Sequence, residues 1–122
     1  MGKYSIAKTN AGYHFNLVAV NNEIIATSEV YNTKDACMNG IDSVKKNAPI
    51  ASIEDQTVEN FKVESNPKFE VYKDKAGEFR FRLKAANGEI NAVSEGYVAM
   101  AGCMNGIESV KKNAASTDIV EA

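Results

Sequence analysis

Cys37-Met38-Asn39-Gly40-Ile41-Asp42-Ser43-Val44-Lys45-Lys46-Asn47-Ala48 recurs as Cys103 to Ala114, with Glu108 in place of Asp42. Two near-identical copies within 122 residues mark an internal duplication, so the chain reads as two similar units. In each copy Cys37, Ile41, Val44 and Ala48, or Cys103, Ile107, Val110 and Ala114, fall at i, i+4, i+7 and i+11. That spacing is the apolar stripe of an amphipathic helix, and it predicts two core helices.

Outward from the helices, Tyr13 to Asp55 aligns with Phe79 to Glu121 without a gap. Lys3 to Gly12 aligns with Lys68 to Gly77 after a one-residue shift beside Ala11-Gly12 and Ala76-Gly77, where a turn absorbs the extra residue. Lys3 to Lys8 alternates, with Tyr4 and Ile6 on one face, and Lys68 to Lys73 offers Phe69 and Val71. Phe15, Leu17 and Ala19 match Phe81, Leu83 and Ala85, while His14, Asn16 and Val18 stand against Arg80, Arg82 and Lys84. A matched apolar set alternating with a diverging set predicts a half-buried strand whose inner face is the matched one. Asn21-Asn22 and Asn87-Gly88 then suit a two-residue type I′ turn. A third strand follows, with Ile24, Ala26 and Ser28, or Ile90, Ala92 and Ser94, expected inward.

Asn32 or Thr33, with Asp35 in the first turn, predicts a capped start for the first helix, whereas Val98, Ala99 and Met100 leave the second without a side-chain cap. Asn47 and Asn113 are expected as left-handed C-caps. Short extended pieces around Ile53 and Ile119 complete two β-β-β-α-β units, at residues 1–55 and 67–122. Between them lies a linker, 56–66, carrying Val58, Phe61 and Val63. The fold class is therefore α+β: one domain of two tandem repeats, with both helices on one face of a sheet.

Ala76 to Glu89, Ser94-Glu95-Gly96-Tyr97 and Cys103 to Ala114 together resemble the YegP-like family of uncharacterised bacterial proteins in its tandem-duplicated form. The resemblance covers nearly the whole chain. It implies one antiparallel sheet shared by the two units, with their last strands exchanged, and it implies no established activity. The absent cap at Ala99, and Val30 where the second copy has Gly96, depart from the family's usual pattern at the strand-to-helix turns.

Composition narrows the function classes. A hydrophobic share of 44% and a charged share of 25% belong to an ordinary globular chain, and a net charge of −2 argues against nucleic-acid binding by charge alone. No apolar run approaches the roughly 20 residues that span a bilayer, and the first residues enter an alternating segment, so a cytoplasmic location is expected. In that compartment Cys37 and Cys103 are expected to be buried thiols rather than a disulfide.

The best polar constellation is Asn39, Ser43 and Asn47 with its twin Asn105, Ser109 and Asn113, since a spacing of four places each set on one helix flank. Such a stripe serves either a ligand or partner, or the scaffold's own backbone groups, and the scaffold is the expected use. Gly40 and Gly106, on the apolar side, predict a close backbone approach. Arg80, Arg82 and Lys84, with Tyr72 and Lys75 nearby, form a basic row that would serve weak nucleic-acid association, the solvated face being the plainer reading. His14 has no twin, and neither it nor the shared Glu29 and Glu95 assembles a metal site or a nucleophile-base pair, so no cofactor, metal or catalytic residue is assigned. The expected function is a non-catalytic binding or structural module that meets a protein partner or a second copy of itself. Its interaction face is placed on the outer sheet surface of the first unit at Val18, Val20 and Ile25, unless the linker folds back over it.

Overall fold

Matched alternation in the two copies produces matched elements in a computed structural model of the chain, which describes residues 2–121. The first copy forms β1 (Lys3–Thr9), β2 (Gly12–Val18), β3 (Ile24–Thr27), α1 (Lys34–Asn47), a 3-10 turn (Ala48–Ile50) and β4 (Ser52–Asp55). The second forms β5 (Lys68–Lys73), β6 (Phe79–Lys84), β7 (Ile90–Val93), α2 (Met100–Asn113) and β8 (Ile119–Glu121). The described strands make one sheet in the order β4-β5-β6-β7-β3-β2-β1-β8. Exchanging the two copies reverses this order onto itself, so a pseudo-twofold axis passes between β3 and β7.

The last strands are exchanged: β4 pairs with β5 of the other copy, and β8 with β1. The sheet is mixed rather than wholly antiparallel, because both exchanged strands run parallel to their partners. The cause is where the helix delivers the chain. Asn47, at the end of α1, reaches Ala86 beside the β6–β7 hairpin, and β5 starts at that same end, with Lys68 opposite Lys84. A strand delivered there by a helical crossover runs with its neighbour.

Tyr4, Phe15, Leu17, Phe69, Phe81 and Leu83 are all within 1% of full burial, and the helix stripes cover them with Cys37, Ile41, Val44, Cys103, Ile107 and Val110. Burial at about 25 cal/mol per Å² of apolar surface makes this face the main stabilising layer. Both cysteines are free and buried, as expected.

Four local expectations are corrected. A register shift at Leu17/Val18, repeated at Leu83/Lys84, inserts a bulge into β3 and β7. Ile25 and Asn91 therefore turn toward the helices beside Ala26 and Ala92, while Ile24 and Ile90, expected inside, are 48% and 38% exposed. The β2–β3 and β6–β7 turns carry one positive φ each, at Asn22 and Gly88, with Asn22 N–H bonded to the Ala19 carbonyl and Gly88 N–H to that of Ala85. That pattern is a three-residue loop with a bulge, not type I′. Asn47 and Asn113 are not left-handed, because each donates its side-chain amide to the carbonyl four residues back, which requires helical backbone. Gly40 and Gly106 admit aromatic rings rather than backbone: a Cβ on either would overlap the hydroxyl of Tyr31 or Tyr97. The first helix has its cap, Thr33 accepting from Ala36 N–H at 3.1 Å, and Ala99 supplies none.

Candidate functional site

The helix stripe divides on inspection. Asn39 and Asn105 are exposed and stand apart, whereas Asn47 and Asn113 are buried and bonded. Asn47 donates to the Ser43 carbonyl at 2.7 Å and to its hydroxyl at 3.1 Å, and accepts from Ala86 N–H at 3.3 Å. Ser43 and Asn91 hydrogen-bond each other at 3.0 to 3.2 Å. For the second helix the place of Asn91 is taken by Ile25 of the first copy, so Ser109 has Asn113 as its side-chain partner. Asn113 instead accepts from Gly2 N–H at 2.7 Å. Ser43 and Asn47 thus tie α1, and Asn113 ties α2, to the strands or their flanking residues, while Ser109 bonds within its own helix.

The basic row is neutralised. On the outer face, Arg80 meets Asp74 at 2.7 Å, Arg82 meets Glu70 at 2.6 Å and stacks on Tyr72, and Lys84 meets Glu70 at 3.4 Å. Lys68 bridges Glu54 and Glu70 at 2.8 and 3.3 Å. Glu54, Lys68 and Glu70 are at most 7% exposed. Burial alone would push the Glu54 carboxyl up, but hydrogen bonds from Lys68, Gln56 and the Glu64 backbone outweigh it and hold the pKa at about 2. A phosphate approaching this row meets cations already paired with carboxylates. Glu54, Lys68, Glu70 and Asp74 do not stand out as a cluster in sequence, yet the β5–β6 hairpin register that places Glu70 opposite Arg82 carries the signal.

The expected interaction face does not form. Val18 and Ile25 are 7% and 5% exposed, and Val20, at 71%, sits on the β2–β3 hairpin beside Ser109 and Asn113 of α2. The bulge that turns Ile25 inward removes the middle of the patch. The linker does not cover it either. Glu64 N–H bonds to Glu54 in β4, at the opposite edge of the sheet, and Val58, Phe61 and Val63 remain exposed.

What the bulge removes from one place it supplies at another. With Ile24 and Ile90 turned outward, the β3–β7 seam becomes a groove of about 630 Å³ on the face away from the helices. Thr27 and Val93 face each other at its centre, the pair that joins the two copies across the axis. Ile24 and Ile90 extend the floor, with Ser28, Ser94, Glu29, Glu95 and Arg80 around it. Ser28 accepts from Phe15 N–H and donates to the Glu29 carbonyl, and Ser94 does the same with Phe81 and Glu95, so both hydroxyls serve the backbone. Arg80 donates from its second nitrogen to the Ser94 carbonyl at 3.1 Å. Glu23, Glu29, Glu89 and Glu95 are exposed, and among the described residues none has an ion-pair partner within 4.0 Å.

Tyr31 and Tyr97 pack on the helix side, their hydroxyls against Gly40 and Gly106. Burial, then the charges of Glu29, Cys37 and Glu89, push the Tyr31 phenol up to about 12. Burial likewise raises Tyr97, followed by Glu95, Cys103 and Glu23. Glu29 and Glu95 line the groove toward its opposite ends. His14 lies on the outer face of β2, opposite Ala7. Among the described residues no group of three or more His, Cys, Asp or Glu could hold a metal ion, and no helix is long and apolar enough to cross a membrane.

Residues 9–55 and 74–121 each match the family described as a domain of unknown function, DUF1508. The UPF0339 protein YegP of Yersinia pestis is 42% identical over 98% of this chain and 94% of its own length. A UPF0339 protein of Treponema denticola is 63% identical over 54 residues, which are 44% of this chain and 93% of that protein. The solution structure of yegP from E. coli, a protein of unknown function, superposes with a TM-score of 0.80 at 31% identity, covering 98% of this chain and 91% of that one.

Proposed function

Given that this chain belongs to the DUF1508 (UPF0339) family, in the duplicated form, we propose that it is a non-catalytic binding module whose recognition surface is the seam groove. One observation carries the reading: a duplicated fold exposes apolar side chains, Ile24 and Ile90, at the axis between its copies, where burial would have been the stabilising choice. The chemistry nearby supports binding over catalysis. Ser28 and Ser94 are committed to backbone groups, and burial raises the thiol pKa of both Cys37 and Cys103. Two buried free thiols suit a reducing compartment, which supports a cytoplasmic location for the module.

An amide NMR screen against mixed small molecules and peptides tests this. Binding is expected to move the signals of Ile24, Thr27, Ile90 and Val93, and Thr27→Arg, at an exposed position, is expected to abolish those shifts without loss of fold. Shifts that avoid the groove, or that persist in Thr27→Arg, would refute it.

A further inference from the structure

The charge around the groove names the class of its occupant, an inference that rests on the groove being the recognition surface. Thr27 pairs antiparallel with Val93, so Glu29 and Glu95 lie two residues to either side of the pair, on opposite ends of the apolar floor. At about 3.3 Å per extended residue their backbones are about 13 Å apart along the strands. The lining thus has one carboxylate at each end, with Thr27 and Val93 between them and Ile90 and Ile24 level with Glu29 and Glu95. We propose that the groove binds a small organic polycation whose ammonium groups are separated by methylenes, a polyamine.

Three features favour this occupant. Its methylenes cover Ile24, Ile90 and Val93 while its ends meet carboxylates, so apolar and charged surfaces are matched together. Its near-twofold shape follows the pseudo-axis of the site. Finally, the acidic ends repel a second copy of this chain and any nucleic acid. The ends are not equal, because Arg80 lines the groove near Glu95, although its Nε is committed to Asp74. His14 stands where Arg80 does in the other copy, and Glu29 therefore holds its ammonium group more tightly than Glu95.

The test is an amide NMR titration with spermidine at low ionic strength. Saturable shifts are expected at Ile24, Thr27, Ile90 and Val93. Glu29→Gln is expected to weaken binding about 2- to 5-fold, as an exposed ion pair does, and Glu95→Gln less. Magnesium, carrying charge without methylenes, should leave Thr27 and Val93 unmoved. Magnesium shifts equal to those of spermidine, or an unchanged affinity in Glu29→Gln, would overturn the proposal. If spermidine does nothing while other compounds in the screen shift the groove, the polyamine falls and the recognition surface stands; if nothing shifts it, both fall.

Discussion

The side-chain oxygen of Asn113 accepts a hydrogen bond from the backbone N–H of Gly2 at 2.7 Å, joining positions 111 residues apart. Its twin Asn47 cannot repeat the bond, since the residue aligned with Gly2 is Pro67, which has no N–H, and Asn47 accepts from Ala86 at 3.3 Å instead. Asn113→Ala leaves a buried donor unpaired and is expected to cost about 1–3 kcal/mol, with Asn47→Ala costing less. Urea denaturation of the two variants measures the difference. Equal losses would show that the bond to Gly2 adds nothing.

Gly→Ala in a helix interior ordinarily stabilises by about 0.5–1 kcal/mol. At Gly40 the sign reverses, because the new methyl overlaps the Tyr31 hydroxyl, and overpacking of this kind costs about 1–3 kcal/mol. Tyr31→Phe is expected to relieve part of that loss in the double variant. A thermal double-mutant cycle with no coupling between the two sites would exclude the contact.

The pH dependence of stability follows from Glu54. Its folded pKa, about 2, lies below the ordinary value of 4.5, so the folded state binds the proton less readily than the unfolded chain. That contribution is fully present above the unfolded value and is lost as pH falls from about 5 toward 2. Glu70, also held low despite its burial, by Arg82, Lys68 and Lys84, adds to the loss in the same direction. Denaturation midpoints should drop across this window in the native protein and drop less in Glu54→Gln, which is already weaker at neutral pH.

Ala99 has the extended backbone of an N-cap, φ −130° and ψ 148°, nearly that of Thr33 at −129° and 157°. Ala99→Thr is therefore expected to place a hydroxyl against Gly102 N–H and stabilise by roughly 0.5–1 kcal/mol, while Thr33→Ala destabilises by a similar amount. Melting temperatures moving in the same direction for both variants would contradict the shared geometry.

Cys103 has its thiol pKa pushed up to about 11 by burial and by the charge of Asp55, and burial raises Cys37 as well. Neither thiol is a competent nucleophile near neutral pH, since the thiolate is the reactive form. Both are expected to react with an aromatic disulfide reagent only as fast as the protein opens. Reaction at the rate of an unfolded control would place them outside the core.

The sequence by itself determined the duplication, the helix stripe from Cys37 to Ala48, the alternation of Tyr4, Ile6, Phe15 and Leu17, and the capped and uncapped helix starts. Each rests on neighbours within a few residues, where periodicity and side-chain reach are local properties. The exchange of the last strands came through the family resemblance, and their parallel direction only through the crossover that sets β4 beside β5. Tertiary pairing alone decided that Ile25 and Asn91 face the helices, because a bulge shifts the period of two between Leu17 and Val18 without any change in residue type. It also decided that Lys68 is held between two carboxylates, since Glu54 reaches it only when the strand of one copy joins the sheet of the other. The groove is the extreme case: Ile24 and Ile90 are ordinary strand residues in the chain, and they come to line one groove only where β3 meets β7 across the axis.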